Sequence, residues 1–527
     1  MEYKFGGSLT NQKTVLGHPS GLFILFFTEM WERFSYYGMR ALLVLFLVAN
    51  LTDENSGWGW ERADATLLYG WYIGLVYLTP VIGGYIADKF TGYRKAIVIG
   101  AFIMTLGHAA MALELFADFF FYVGLLLLIL GNGMFKPNIS SIVGQLYKTQ
   151  GKEKDAGYTI FYMGINAGAF LGILLCGYIG EQIGWHWGFG LAGVFMFFGM
   201  LQFQFGQKIF GKIGLSPKDA LAYVDNEKVG ANEAEEVVEP EPSKKVVSDR
   251  LIVISIFAVF TIFFWWAFEQ AGGSMTIFAS DYTDRNLVGS AALTFKIVNT
   301  IITVVPLVVI TIVLGMLFRQ TFAKYALSNL FLGTSFVIIW GIVIWMLVRE
   351  FQSDSTEVAA SWFSVLNSLF IIIFAPLFSK IWQSRFNPSG PVKFALGLIL
   401  VGIGFAALAY GSLDIPQGAK TASVSMIWLI LAFLLHTLGE LCVSPVGLSY
   451  VSKLAPVRLV GLMFGVWFIA NFLAGVIGGW TAGFMDPMLE EYGLTSFFLI
   501  FTLIPIAAGI IMLAMSKWVI KMMHGIR

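Results

Sequence analysis

Long apolar runs separated by short polar stretches recur along the whole chain, and this rhythm sets the fold class before any single residue does. A helix crossing a hydrocarbon core of about 30 Å needs roughly 20 predominantly apolar residues, because each adds about 1.5 Å along the axis. Fourteen stretches qualify: 21–50, 66–87, 96–116, 119–146, 157–180, 187–207, 251–280, 292–318, 328–348, 360–379, 394–411, 425–449, 459–484 and 495–516. They predict an all-α membrane protein with fourteen crossings. The first twenty residues are polar, and the apolar stretch after them is too long and too charged for a cleaved signal peptide, so it reads as the first helix.

The loops test this count independently, since Lys and Arg accumulate on the cytoplasmic side. Of the 33 Lys and Arg, 25 fall in the two termini and the loops that alternate with them. Arg62, Arg285, Arg349 and Lys420 fall in the opposite loops, and Arg33, Arg40, Lys136 and Lys296 lie within apolar segments. An even number of crossings with both termini cytoplasmic follows. Residues 209–250 form the one long polar stretch, with Pro217, Glu233, Glu235, Glu236, Pro240, Pro242, Lys244 and Lys245. It reads as a cytoplasmic linker between an N-terminal six-helix bundle (1–208) and a C-terminal part (251–527) of eight segments.

Composition agrees: hydrophobic residues make up 57% of the chain and charged residues 13%, so most of its surface must face lipid. The formal net charge is zero and no long basic block exists, which argues against a nucleic-acid partner. Cys176 and Cys442 both lie in apolar segments and read as packing residues. No ligand set has metal spacing and no nucleophile has a plausible base, so an enzyme is not expected. A substrate sensor would need an output domain, for which the linker is too short.

Seven ionisable residues sit where a membrane should not hold them. In "TEMWERFSYYGMRALL", Glu29, Arg33, Tyr36, Tyr37 and Arg40 follow helical spacing along one face, with Glu32 one step aside. Each charge at the centre of a membrane helix costs roughly 2.5–3.5 kcal/mol, so this face must line an interior. The i,i+4 pair Glu29 and Arg33 can neutralise itself locally. Lys136 precedes Pro137 in a segment loosened by Gly131 and Gly133, Glu269 lies in "FFWWAFEQAGG", and Glu440 shares a face with Ser444. Four acids against three bases leave one carboxylate over, which is what proton coupling requires.

Several motifs resemble the proton-dependent oligopeptide transporter family, a branch of the major facilitator superfamily that includes bacterial and mammalian di- and tripeptide carriers. "EMWERFSYYG" is similar to that family's first-helix signature. "GNGMFKPNISS" with "FYMGINAGAFLG" is similar to its fourth and fifth helices, and "GELCVSPVGLSYVSKLAP" with "GVWFIANFLAG" to its tenth and eleventh. "GGYIADKFTGYRKA" resembles the superfamily's signature loop. The resemblance covers nearly the whole chain. It implies the major facilitator fold, two six-helix bundles plus two extra helices, and a monomeric proton symporter importing di- and tripeptides across the inner membrane by alternating access. A carrier for nitrate, an amino acid or a peptide-like drug is the alternative, because related branches reuse the fold. No cofactor beyond the proton gradient is implied.

Residue by residue, the resemblance implies proton coupling at Glu29, Glu32 and Arg33. It gives the peptide carboxylate to Arg40 and Lys136 and the amino terminus to Glu440. Asn166 and Asn367 would bond the peptide backbone, and Tyr36, Tyr37, Tyr77, Ser444 and Trp467 would line the pocket. Arg40 would pair with Glu269, and Lys136 with Glu440, as alternating gates. Two departures stand out. Ser368 follows Asn367 where the family usually has proline, and Asn299 competes for the same assignment; Asn367 is preferred because Pro376 follows it by nine residues. The choice makes 292–349 an inserted helix pair after the seventh core helix, expected to pack peripherally. His436, four residues before Glu440, could titrate near neutrality but is read, like His108, as a core histidine.

Overall fold

Twelve apolar spans are long enough to cross a membrane in the computed structural model, which describes residues 3–148, 151–216, 218–219, 243–456 and 459–526. One of these spans, Arg62–Ala112, contains two helices, and the first helix, with its ionisable residues, stands outside that set. Fourteen crossings therefore lie among the described residues. They are α1 (Ser20–Val48), α2 (Arg62–Ile86), α3 (Gly92–Ala112), α4 (Asp118–Gln145), α5 (Lys152–Gln182), α6 (Trp185–Gly206) and α7 (Lys244–Phe268), then α8 (Gly289–Thr321), α9 (Ala326–Gln352), α10 (Val365–Gln383), α11 (Gly390–Gly411), α12 (Ile427–Leu454), α13 (Val460–Ala482) and α14 (Leu494–Met522). After Phe268 the path of α7 continues through tighter and wider turns to Tyr282. Several helices outrun their apolar core: α7 begins at Lys244 rather than 251 and α14 ends at Met522 rather than 516. Their lysine-bearing end turns satisfy the backbone in water, where apolar counting is blind. Of the linker residues, Pro217, Glu233, Glu235, Glu236, Pro240 and Pro242 lie outside the described residues, whereas Lys244 and Lys245 open α7.

The helices gather into two compact units. Unit 1 holds the described residues of 1–42, 79–232 and 285–362. Here α3 and α4 approach at backbone distance: a Cβ on Gly100 would lie 2.6 Å from the Gly131 carbonyl, and one on Gly107 3.0 Å from that of Gly124. Small residues do this work in membranes, where close van der Waals contact replaces the hydrophobic drive. Trp31 and Phe34 of α1 bury against Phe195 of α6, with ring centroids 4.7 and 4.4 Å apart. The segment before α1 folds back: β1 (Thr14–Val15) pairs with β2 (His18–Pro19), and Asn11 accepts from the Gly21 amide at 2.6 Å.

Unit 2 holds the described residues of 43–78, 233–284 and 363–527. Gly70 of α2 meets α13, where an added Cβ would lie 2.7 Å from the Gly475 carbonyl and 2.8 Å from the Gly479 Cα. Trp266 donates to Thr481 (2.9 Å) and Gln270 to the Gly478 carbonyl (2.9 Å), fixing α7 on α13. Arg62 reaches Asp281 at 2.5 Å and Asp486 at 2.6 Å, and donates to Tyr282 at 3.1 Å.

Compactness thus divides the chain differently from its order. The 251–527 region expected from the sequence loses the inserted pair α8–α9, which falls in unit 1 because it packs on α6. Ser328 donates to the Gln202 carbonyl (2.7 Å), and Phe331 stacks on Phe205 at 5.5 Å. The insertion closes at its neck. β3 (Asn286–Val288) pairs antiparallel with β4 (Ser355–Glu357), and Arg285 binds the Val358 carbonyl at 2.7 Å and Glu357 at 2.9 Å. Glu181 of α5 accepts from the Ala360 and Ser361 amides at 2.8 and 2.9 Å, anchoring the returning chain.

Candidate functional site

The charged face of α1 converges on one guanidinium. Arg33 Nε lies 2.7 Å from Glu29 Oε1, one turn back, and 2.8 Å from Glu32 Oε2, its neighbour in sequence. All three side chains are buried, with 2%, 0% and 4% exposure for Glu29, Glu32 and Arg33. Asn132 of α4 donates to the other oxygen of Glu32 at 2.9 Å. One guanidinium thus lies between two buried carboxylates, and the charge of Lys136 also acts on Glu32. Farther along the same face, the Arg33 guanidinium lies 5.9 Å from the Tyr36 ring and that of Arg40 5.9 Å from the Tyr37 ring. The two tyrosine rings meet edge to face at 5.0 Å. Arg40 and Tyr37 are half-buried, and Tyr36 is buried.

Also in unit 1, Lys136 is half-buried on α4, which stays helical through Pro137. Asn166 of α5 is buried and donates to the Tyr162 carbonyl of its own helix at 3.0 Å. Asn299, the competing asparagine, is buried in α8 beside Thr303 at 3.4 Å.

In unit 2, Asn367 of α10 donates to Glu440 Oε2 at 2.9 Å and lies 3.1 Å from the Thr437 hydroxyl. This contact joins α10 to α12, and it is Asn367 rather than Asn299 that reaches the acid. Ser444, one turn beyond Glu440, is half-buried, and its hydroxyl makes no hydrogen bond among the described residues. Trp467 of α13 lies against Gly447, whose missing side chain leaves room for the indole. Glu269 is buried and accepts from the Tyr69 hydroxyl at 3.2 Å. Tyr77 is half-buried on α2, two turns beyond Tyr69. His108 and His436 are buried, the latter with its ring 4.5 Å from Phe405, as core histidines.

Asn132, Thr437 and Tyr69 are the partners that sequence reasoning missed. Each carried a signal: Asn132 stands four residues before Lys136, Thr437 three before Glu440 and Tyr69 eight before Tyr77, all on one helical face. Spacing along a helix exposes such residues only once the acid they serve is known to lie on a neighbouring helix.

Fourteen apolar crossings that bury paired ionisable groups suit a solute carrier. The particular kind follows from kinship. The model of the POT family matches residues 94–227 and 332–496. An uncharacterised transporter of Bacillus subtilis (strain 168) is 34% identical, covering 98% of this chain and 97% of its own. A di-/tripeptide transporter of Lactococcus lactis subsp. cremoris is 31% identical, covering 98% and 99%. A crystal structure of peptide transporter POT in complex with sulfate superposes with a TM-score of 0.73 at 30% identity, covering 97% of each chain. This chain belongs to the POT family and has the major facilitator superfamily fold, with fourteen crossings among its described residues.

Proposed function

We propose that this protein imports di- and tripeptides by alternating access, driven by protons moving down their gradient. The carrying observation is the Glu29–Arg33–Glu32 cluster, in which one buried cation is shared by two buried carboxylates at 2.7 and 2.8 Å. A proton arriving there neutralises one carboxylate and frees the guanidinium from that partner, which is the event a coupled carrier has to transmit. Arg40 and Lys136 take the peptide carboxylate and Glu440 the amino terminus. A zwitterion gripped at both ends leaves its side chains loosely specified. Asn166 and Asn367 bond the peptide backbone, and Tyr36, Tyr37, Tyr77, Ser444 and Trp467 line the pocket. Arg40 with Glu269 and Lys136 with Glu440 act as the alternating gates. The hydrogen bond from Asn367 to Glu440 supports this reading, since it puts a backbone-bonding amide beside the carboxylate that takes the amino terminus. The carrier works as a monomer in the cytoplasmic membrane with both termini inside, and the proton gradient is its only co-driver.

The test is uptake of labelled dialanine into liposomes holding the purified protein under an imposed inward proton gradient. Accumulation above a gradient-free control is expected. Glu440→Gln and Lys136→Ala should each abolish it, a loss of at least about tenfold if a charged contact is removed, while the protein stays folded in detergent. Equal uptake with and without the gradient would exclude coupling, and normal uptake by both variants would exclude this assignment of the site.

A further inference from the structure

We propose that unit 2 carries a separate binding site for a phosphate-bearing anion, such as the headgroup of an acidic phospholipid, between the ends of α10, α11, α12 and α14. A cavity of about 590 Å³ opens there, away from the carboxylates described above. Two lysines line it, Lys393 from the first turn of α11 and Lys453 from the last turn of α12. Among the described residues, its lining contains no aspartate or glutamate. Two ammonium groups that share one concavity repel each other, and an arrangement of this kind is relieved by an anion between them. The positions of both groups are constrained. The Lys393 ammonium lies 4.5 Å from the centroid of the Trp382 ring, and that of Lys453 6.0 Å from Tyr450.

The rest of the wall fits a phosphate ester. Ser389, which precedes α11 with extended backbone angles, lines the cavity with a hydroxyl that can donate to an anion. Ser449 adds a second hydroxyl one turn before Lys453. The lining also includes apolar groups, among them Ile520 and Met523 at the end of α14. Cations and apolar groups lining one cavity match a phosphodiester that carries acyl chains. This end of the helices carries most of the chain's Lys and Arg, so it faces the leaflet in which acidic lipids draw basic residues. A free phosphate ion shares the anionic chemistry and would use the lysines without the apolar residues.

Thermal unfolding of the full-length protein in a neutral detergent distinguishes these sources. Dioleoyl phosphatidylglycerol, dioleoyl phosphatidylcholine and inorganic phosphate are titrated separately against the wild type, against Lys393→Gln/Lys453→Gln, and against the charge-matched control Lys148→Gln/Lys152→Gln. The expected result is a saturable rise in Tm with phosphatidylglycerol alone. Apparent affinity should fall roughly fivefold per lysine removed from the cavity and stay unchanged in the control. A lysine-dependent rise with inorganic phosphate as well keeps the site and makes its ligand a soluble phosphate. If neither anion raises Tm, or if the cavity variant responds as the control does, the site does not exist. Should the double variant fail to fold, Lys393→Gln and Lys453→Gln are titrated singly, and unchanged affinity in both overturns the proposal.

Discussion

Arg33 is held between two acids, Glu29 and Glu32, that are buried with it. Removing one partner of a buried ion pair costs about 3–5 kcal/mol because the remaining charge stays desolvated. The cluster therefore ties folding to charge. Outside the membrane-spanning helices the same physics acts on Glu114, in the turn between α3 and α4. Burial first, and then the nearby Asp118, push its carboxyl up to about 7. Between pH 4.5 and 7 the unfolded chain has released this proton and the folded protein still holds it, so stability falls as pH rises through that window. Allowing for its partial contact with solvent, the loss by pH 8 is about 1 kcal/mol. Glu114→Gln should match the wild type in Tm at pH 5 and exceed it at pH 8. Equal pH dependence in the two proteins would show that Glu114 titrates normally.

At the level of elements, glycines decide which helices touch. Where α2 crosses α13, a side chain on Gly479 would run into the Thr66 carbonyl and would lie 2.6 Å from the Gly70 Cα. Backbone atoms cannot swing aside as a rotamer can, so the helices must separate. Gly479→Val is expected to lower Tm in detergent by the equivalent of about 1–3 kcal/mol, with Gly465→Val, at a position open on all sides, as the neutral control. The inserted pair illustrates a second rule of elements. Its ends are brought together by the β3–β4 ladder and by Arg285, so two helices can leave the chain and return without displacing α10 and the helices after it. Fewer than half of the residues in the apolar windows of α8 and α9 are buried, 28% and 33%, which suits helices packed along one side only.

For the whole molecule, the distribution of basic residues makes a prediction about sidedness. With 25 of 33 Lys and Arg in the termini and alternate loops, the C-terminal end of α14 belongs inside and the loop holding Lys420 outside. Cys176 and Cys442 are buried, so they contribute little background to thiol labelling. In right-side-out vesicles, Lys420→Cys should react with a membrane-impermeant maleimide, and Lys521→Cys should react only after permeabilisation; the reverse pattern would invert the topology.

The fourteen crossings and the cluster on α1 were legible in the sequence because each rests on local periodicity or on the cost of charge in lipid. Glu29 and Arg33 could be paired from spacing alone, as they lie one helical turn apart. Only the tertiary structure decided that Glu32 shares the same guanidinium and accepts from Asn132, that Asn367 rather than Asn299 reaches Glu440, and that Tyr69 serves Glu269. It also decided that the inserted pair joins the helices of unit 1 although it follows α7 in the chain. Hydropathy records how a helix meets lipid, which is the same on every side of a bundle. Which helices face each other depends on where glycines permit backbone contact and on long-range polar pairs, and a linear pattern of apolar residues carries neither.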